Sequence, residues 1–150
     1  GELIMFLVKH FKDLTVNEFY EIAKARYDVF ACEQKITMEN DFDNVDKNSY
    51  HIFSMDNGIV TSYARIIPCE FSNYDDVSIG RVLVIKNYRN KHLAKNLMTK
   101  AIEFVKNDLK EEHITLSAQY YIKNLYSSLG FKEISPIYDE CNIPHVKMRL

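Results

Sequence analysis

The fold is decided by residues 79–108, which read IGRVLVIKNYRNKHLAKNLMTKAIEFVKND. The stretch begins with a run rich in β-branched residues that has the length of a strand. From Leu93 onwards, apolar residues recur at helical spacing opposite lysine, asparagine and glutamate. The polar turn between them, residues 86–94, carries Arg89 and Lys91. Because the first N–H groups of a helix lack intrahelical partners, this basic turn predicts an anion-binding site.

The composition is that of a folded domain, since 47% of the 150 residues are apolar and 27% are charged. The net charge of -2 argues against a general nucleic-acid binder, because such proteins contact phosphates with a basic surface. No run approaches the roughly 20 apolar residues that span a bilayer, so we expect no membrane partner. The three cysteines are an odd number without metal-ligand spacing. We therefore expect no disulfide framework and no metal, and a reducing, cytoplasmic location.

Two further helices are indicated outside this stretch. Thr15 and Glu18 form a capping-box pattern, which predicts a helix that begins near Val16. A short helix is predicted over residues 121–129, where Gly130 provides a plausible C-terminal cap.

The strand pattern predicts a mixed α/β fold. Asn57-Gly58 is a strong hairpin signal between two strand-like runs. The strand–helix–strand unit from Val82 to Ala118 instead requires a parallel neighbour. We predict one domain over residues 1–150 with a central, mostly antiparallel seven-stranded sheet flanked by helices. Its strands are predicted at residues 3–8, 50–55, 59–67, 77–85, 113–118, 131–137 and 145–150.

The polar connector at residues 35–49 contains Asp41, Asp43 and Asp46. Their spacing is similar to that of a calcium-binding loop. However, Val45 stands where a ligand is needed, and Asp46 stands where the sharp-turn glycine belongs. We therefore expect a solvated loop rather than a metal site.

Arg65 and Arg81 each interrupt an apolar strand. If the two strands form a hairpin centred near Asn73, the arginines lie roughly opposite each other, and like charges in such positions repel. An anion between them, internal or bound, would relieve this repulsion. We hypothesise that they hold Glu33 or a carboxylate on a substrate. The alternative is that they extend separately to the edges of the sheet.

Residues 84–94 carry a motif with Arg89, His92 and Ala94 at its marked positions. It resembles Gln/Arg-x-x-Gly-x-Gly/Ala, the acyl-CoA pyrophosphate loop of the Gcn5-related N-acetyltransferase (GNAT) superfamily. His92 departs from the family pattern, which prefers glycine because glycine lets the backbone approach a phosphate closely.

A second motif lies about thirty residues further on. It resembles the family's Asn-x-x-Ala-x-x-x-Tyr-x-x-x-Gly-Phe, with Gln119 in place of asparagine and Ile122 in place of alanine. Tyr126, Gly130 and Phe131 match the pattern outright. Two motifs in the correct order indicate this superfamily more strongly than either one alone.

Further segments are similar to those of the ElaA-like branch of the superfamily, so the resemblance spans nearly the whole chain. These segments are VFACEQ at 29–34, YARIIP at 63–68, IGRV at 79–82, AQ at 118–119 and IPH at 143–145.

The resemblance implies acetyl-CoA as the second substrate and no metal. In this superfamily the fourth and fifth strands splay apart, and the pantetheine arm inserts between them with hydrogen bonds to the fourth strand. The matching positions here are Val82, Leu83 and Val84. The other cofactor-binding positions implied by the two motifs are Arg89, Asn90, Lys91, His92, Leu93, Ala94, Lys95 and Gln119.

The implied reaction is the attack of a primary amine on a thioester. It requires a base, because a lysine-like amine has a pKa of roughly 10.4. It also requires donors for the oxyanion, for which a backbone N–H near Val84 is the candidate. Tyr126 matches the family position of the acid that protonates the leaving thiolate, although its helical spacing also fits a core residue. Glu33 and His145 are alternative bases, and His51 is a weaker third.

Several functional questions stay open at this stage. An acyl-CoA-binding sensor without turnover is the alternative to an enzyme, and a longer acyl chain is an alternative to acetyl. Cys141 and His145 lack the third residue of a nucleophilic triad, which argues against a thiol mechanism. The acceptor amine is not named by the sequence. A homodimer is possible, since many relatives are dimers.

Overall fold

The computed structural model describes residues 3–89 and 91–150. Its main helices are α1, Val16–Arg26, which continues into a π-helix over Tyr27–Glu33, then α2, Leu93–Asn107, and α3, Lys123–Ser127. The strands are β1, Leu7–His10; β2, Tyr50–Asp56; β3, Ile59–Ile67; β4, Val77–Val84; β5, Ile114–Gln119; β6, Lys132–Glu133; β7, Tyr138–Glu140; and β8, Ile143–Arg149.

The local signals for α1 and for the first hairpin are confirmed. The Thr15 hydroxyl accepts a hydrogen bond from the Glu18 N–H at 3.0 Å, and the Glu18 carboxylate accepts one from the Thr15 N–H at 2.9 Å. Asn57 and Gly58 both adopt positive φ, as a two-residue turn between twisted strands requires.

The strands form one mixed sheet in the order β1-β2-β3-β4-β5-β8-β6, and β7 also pairs with β8. The pairs are antiparallel except for β4 and β5, which are parallel and joined in sequence through α2. The mixed α/β fold predicted from the sequence is therefore confirmed.

Over residues 3–89 and 91–150 the sheet has eight strands rather than the predicted seven. The strand expected over residues 131–137 is reduced to Lys132–Glu133, because Pro136 cannot donate to a strand ladder. The segment expected to be a linker instead forms β7, which turns into β8 through Cys141 and Asn142, both at positive φ. The first strand also begins later than expected, at Leu7.

Two apolar clusters cover the two faces of the sheet. Ile52 packs in the cluster that contains the buried face of α2, whereas its neighbour Phe53 packs in the cluster that contains the buried face of α1. Successive residues of a strand point to opposite faces, so this division places α1 and α2 on opposite sides.

A closed ring of alternating charges joins α1, β3 and β4 to the connector before β2. We call it the arginine–aspartate ring, and its members in order are Arg26, Asp46, Arg65, Asp43, Arg81 and Asp41. Three arginines and three aspartates make the ring neutral. The connector carboxylates are therefore partners of arginines, and the expectation of a solvated loop is wrong for Asp46, which is 4% exposed.

Arg26 is the deepest member of the ring and is completely buried. Its guanidinium donates to Asp46 at 2.7 Å and to Asp41 at 2.8 Å, and it lies 4.7 Å from the centre of the Phe42 ring. Burial alone would raise the pKa of Asp46, but the hydrogen bonds and charges of Arg26 and Arg65 lower it below its ordinary value. The stabilisation from Asp46 is therefore complete above roughly pH 4 and is lost as the pH falls through the lowered pKa.

We predict that Asp46→Asn lowers the free energy of unfolding by about 3 kcal/mol, since it leaves two buried guanidinium groups short of a counter-charge. Urea denaturation at pH 7 measures the change, and the deficit should narrow as the pH falls below roughly 4. Asp28→Asn, at an exposed position of the π-helix, is the matched control. Equal stabilities of the two variants would contradict the prediction.

Candidate active site

The parallel strands β4 and β5 separate after a short contact. Within the described residues, pairing joins only Val77 to Ile114 and Ser78 to Thr115. The β3–β4 register then shifts between Tyr63 and Arg65, which marks a β-bulge at Arg81, where φ is +52°. Beyond it, the backbone of β4 is open on the side of β5.

An open strand edge binds an extended ligand through backbone hydrogen bonds. The predicted positions Val82, Leu83 and Val84 form this end of β4. Leu83 is buried in the cluster against α1, whereas Val82 and Val84 are half-buried. The Val84 carbonyl already accepts a hydrogen bond from Arg89 Nε at 2.8 Å.

The loop after β4 leads directly into the N-terminus of α2. His92 is the N-cap residue and lies in the left-handed region, with φ +57° and ψ +17°. Among the described residues, no side chain caps this end of the helix. Leu93 is buried, whereas Ala94 is half-buried and Lys95 is exposed. The first N–H groups of α2 are therefore available to an anion.

The conformation of His92 explains why glycine suits this position. A side chain in the left-handed region costs roughly 1–2 kcal/mol, and glycine adopts it freely. The side chains of Lys91 and Arg89 add positive charge beside the turn, and Lys91 Nζ lies 5.6 Å from the centre of the Tyr88 ring. The predicted Asn90 lies outside the described residues.

The end of the π-helix contacts both sides of the opening between β4 and β5. Glu33 pairs with Arg89 at 2.8 Å, on the loop that leads to α2. Gln34 accepts a hydrogen bond from Gln119 Nε2 at 2.9 Å, at the end of β5. π-Helical turns occur frequently at functional sites. This one ends at Glu33, and together with the next residue, Gln34, it brings two polar side chains to the opening between β4 and β5.

Tyr126, the predicted acid, lies in α3 and is largely buried. Its ring meets Phe131 edge-on with the centroids 6.0 Å apart. Burial raises the pKa of Tyr126 above its ordinary value, so its hydroxyl stays protonated at neutral pH. Tyr126 therefore has the surroundings of a core residue, and its role as an acid stays a prediction.

His145, one of the predicted bases, lies in β8 opposite Gln119 of β5. Its Nδ1 is 2.7 Å from the Ile143 carbonyl oxygen, and its Nε2 is 3.2 Å from a carboxylate oxygen of Glu140. The ring is stacked on Tyr138, whose hydroxyl forms a hydrogen bond with a serine of β5. The imidazole is consequently fixed in both position and orientation.

The other predicted base is held differently. The carboxylate of Glu33 is paired with Arg89, which makes it part of the loop before α2. His51 is 1% exposed and its two ring nitrogens lie 2.7 Å from the Tyr63 hydroxyl and 3.0 Å from the Asp46 carbonyl. Burial lowers the pKa of His51 to about 4, so it is neutral at pH 7 and has a structural role.

Arg65 and Arg81 face an internal anion rather than Glu33. Asp43 accepts hydrogen bonds from Arg65 at 2.8 and 3.1 Å and from Arg81 at 3.4 Å. The repulsion inferred from the sequence is thus relieved within the protein, and both Glu33 as their partner and the separate paths to the sheet edges are wrong. Their predicted contact with the acceptor stays a prediction.

The Cys141 thiol lies in the turn between β7 and β8. Burial raises the pKa of Cys141, and the charges of Glu39 and Glu140 raise it further. A raised pKa keeps the sulfur in its less nucleophilic thiol form. This environment agrees with the sequence argument against a thiol mechanism.

Glu140 and Tyr138 contact the predicted base His145, and Gln34 contacts Gln119, but none of the three was selected from the sequence. Glu140 and Tyr138 stand in a three-residue strand that Pro136 precedes, which is too short for a periodicity signal. The Cys141-Asn142 pair could have indicated the turn between β7 and β8, because asparagine tolerates the positive φ that a tight hairpin needs.

Comparison with known proteins defines the class. A family model described as "Acetyltransferase (GNAT) domain" matches residues 9–150. The chain belongs to the GNAT family, whose fold is that of acyl-CoA-dependent N-acyltransferases. An acyl-CoA N-acyltransferase from Pseudomonas aeruginosa has a TM-score of 0.89 to this chain at 29% identity, covering 98% of this chain and 99% of its own.

Within the family, the similarity narrows to the ElaA-like branch predicted from the sequence. ElaA of Escherichia coli is 31% identical over 140 residues, which are 93% of this chain and 91% of that protein. Its crystal structure gives a TM-score of 0.88 and covers 97% of this chain and 99% of its own. UPF0039 protein C11D3.02c of Schizosaccharomyces pombe is 38% identical over 147 residues, 97% of this chain and 95% of that protein.

Two negative findings apply to the described part of the chain. None of its helices is both long enough and apolar enough to cross a membrane. Nor do residues 3–89 and 91–150 contain a group of three or more histidine, cysteine, aspartate or glutamate side chains that could hold a metal ion.

We predict that His92→Gly binds CoA at least as tightly as the wild type, because glycine adopts the left-handed conformation without strain. His92→Ala is the matched control, since it removes the imidazole but keeps the Cβ atom. It should unfold more easily than His92→Gly by about 1 kcal/mol. Calorimetric CoA titration and urea denaturation measure the two effects. Weakened binding in both variants would instead show that the imidazole contacts phosphate.

A second prediction concerns the ion pair between Glu33 and Arg89. Glu33→Gln should tighten CoA binding several-fold at low salt, because Arg89 then has no competing carboxylate and is free to contact an anion. Calorimetric titration at 20 and 500 mM salt checks this, and the gain should shrink at high salt. The exposed Glu112→Gln variant controls for the change in net charge. Weaker binding by Glu33→Gln would contradict the competition.

Proposed function

We propose that this protein is an N-acetyltransferase that transfers the acetyl group of acetyl-CoA to a primary amine by direct attack on the thioester. The observation that carries the proposal is the separation of β4 from β5 beside the uncapped N-terminus of α2. The GNAT membership supports acyl-CoA as the donor. The choice of acetyl and of a primary amine rests on the family resemblance.

The residues present fit a CoA molecule. The open backbone at Val82, Leu83 and Val84 is suited to a pantetheine arm, which carries amide groups that pair like a strand. The N-terminus of α2 offers N–H groups to the pyrophosphate, and Arg89 and Lys91 supply positive charge. A backbone N–H near Val84 would then stabilise the oxyanion that forms at the thioester carbonyl.

His145 is the base in this proposal, in preference to Glu33. Since the Ile143 carbonyl can only accept a hydrogen bond, Nδ1 carries a proton and the neutral ring has its lone pair on Nε2. Glu140 contacts Nε2 at 3.2 Å, so Nε2 takes a proton from the amine once this exposed carboxylate has moved aside. The Glu33 carboxylate is the weaker choice because its partner Arg89 is a permanent cation, which stabilises the carboxylate and makes it a poorer base.

Tyr126 is the proposed acid for the leaving group. The role rests on its motif position, since burial raises the pKa of Tyr126, which keeps the hydroxyl protonated but makes it a weaker acid than an exposed tyrosine. Gln119 connects the two sides of the reaction centre, since it donates a hydrogen bond to Gln34, the residue after the π-helix, and stands opposite His145 in the sheet. Arg65 and Arg81 act in this scheme by holding the connector in place through Asp43.

The test is release of CoA thiol from acetyl-CoA against a panel of amines. We predict saturable, amine-dependent release, and in Tyr126→Phe a kcat about a hundredfold lower with little change in the KM for acetyl-CoA. Tyr20→Phe, at an exposed position of α1, is the control. Saturable acetyl-CoA binding without release by any amine would overturn the proposal and indicate a sensor.

A further inference from the structure

The His145 ring faces a hydrogen-bond acceptor at each of its nitrogens. Nδ1 is 2.7 Å from the Ile143 carbonyl, and Nε2 is 3.2 Å from Glu140 Oε2. A carbonyl oxygen and an ionised carboxylate only accept hydrogen bonds. The arrangement is therefore satisfied when both ring nitrogens carry protons, which is the state of an imidazole that has just taken up a proton.

The two partners differ sharply in their access to solvent. His145 is buried beneath the stacked Tyr138 ring, with 6% of its surface exposed, whereas the Glu140 side chain is 52% exposed. Glu140 thus connects a buried nitrogen to the surrounding water. Gln119, which stands opposite His145 on the neighbouring strand β5, has an amide side chain and cannot take up the proton as a base.

The reaction itself produces a proton that has to leave. An ammonium group and acetyl-CoA give an amide, the CoA thiol and one proton. The new C–N bond replaces the C–S bond, and the thiolate takes one proton from Tyr126, which must in turn be reprotonated. One proton therefore remains per turnover, and a buried base has to pass it to water before the next cycle.

We propose that Glu140 is the residue that passes this proton from His145 Nε2 to solvent, an inference that rests on the proposed N-acetyltransferase function. The Glu140 carboxylate takes the proton of Nε2 and turns out into water, which leaves the Nε2 lone pair free to accept the proton of the amine. Once the product has left, the carboxylate returns to Nε2 and removes that proton in turn. Glu140 touches neither substrate in this scheme, so it is a positioning residue that acts through His145.

Other charged or titratable groups surround the pair and belong to the same electrostatic environment. Tyr138 stacks on the imidazole. The charge of Glu140 contributes to the raised pKa of Tyr74 and to that of Cys141. Lys147 lies 5.7 Å from the centre of the Tyr74 ring. Glu39 and Arg81 influence Cys141 from the connector and from β4. Glu140 differs from all of these because its carboxylate directly contacts His145 Nε2.

Glu140→Gln tests the relay, because glutamine keeps the shape but cannot pass on a proton. We expect kcat to fall about tenfold or more in dilute buffer, and to recover as the concentration of a small buffer such as imidazole is raised. The kcat of the wild type should not depend on buffer concentration.

Asp139→Asn is the matched control, because it makes the same charge change one residue away on an exposed side chain of β7. It should keep the wild-type rate, buffer response and pH profile. Glu140→Asp keeps a carboxylate and should retain more activity than Glu140→Gln. If Glu140→Gln does not fold, as judged by circular dichroism, Glu140→Asp is used in its place. Its kcat should then rise more with buffer concentration than the kcat of the wild type does.

The outcomes separate this inference from the proposed function. Wild-type protein that releases no thiol with any amine overturns the acetyltransferase proposal itself. Active wild-type protein together with a Glu140→Gln variant of unchanged rate, buffer response and pH profile overturns the relay alone. A variant that loses activity and is not rescued by buffer also overturns it, since it would show a structural role.

Discussion

The arginine–aspartate ring is the constraint on which the arrangement of this protein depends. Arg26 is completely buried at the end of α1, and a buried guanidinium is tolerated only with counter-charges and hydrogen bonds. Asp41 and Asp46 supply them from the connector. Because Arg65 and Arg81 complete the ring from β3 and β4, one neutral cluster fixes a helix, two strands and an otherwise irregular segment relative to one another.

The position of the π-helix follows from this constraint. Since Arg26 is anchored at its start, the π-helix extends from a fixed point, and its last residues reach opposite sides of the opening in the sheet. Glu33 contacts the loop before α2, and Gln34 contacts the end of β5. The ring therefore influences the candidate active site without contributing a side chain to the proposed chemistry.

Local signals made much of this predictable from the sequence. The capping box at Thr15, the Asn57-Gly58 turn and the strand–turn–helix stretch need only nearby residues, and all three are found. The ring was not predictable as such, because its pairs are separated by up to 40 positions and Asp41 looks like any loop aspartate. Likewise, Glu140 meets His145 only through a hairpin too short to produce a pattern.

The gap between β4 and β5 has a consequence for selectivity. A ligand that completes the sheet there is held through its own amide groups, which are the same before and after the acyl group has left. Backbone pairing therefore cannot distinguish a loaded carrier from a spent one. Such an opening holds the spent carrier as tightly as the loaded one, so the ratio of loaded to spent carrier around the protein, rather than the loaded carrier alone, governs how often the gap holds a reactive molecule.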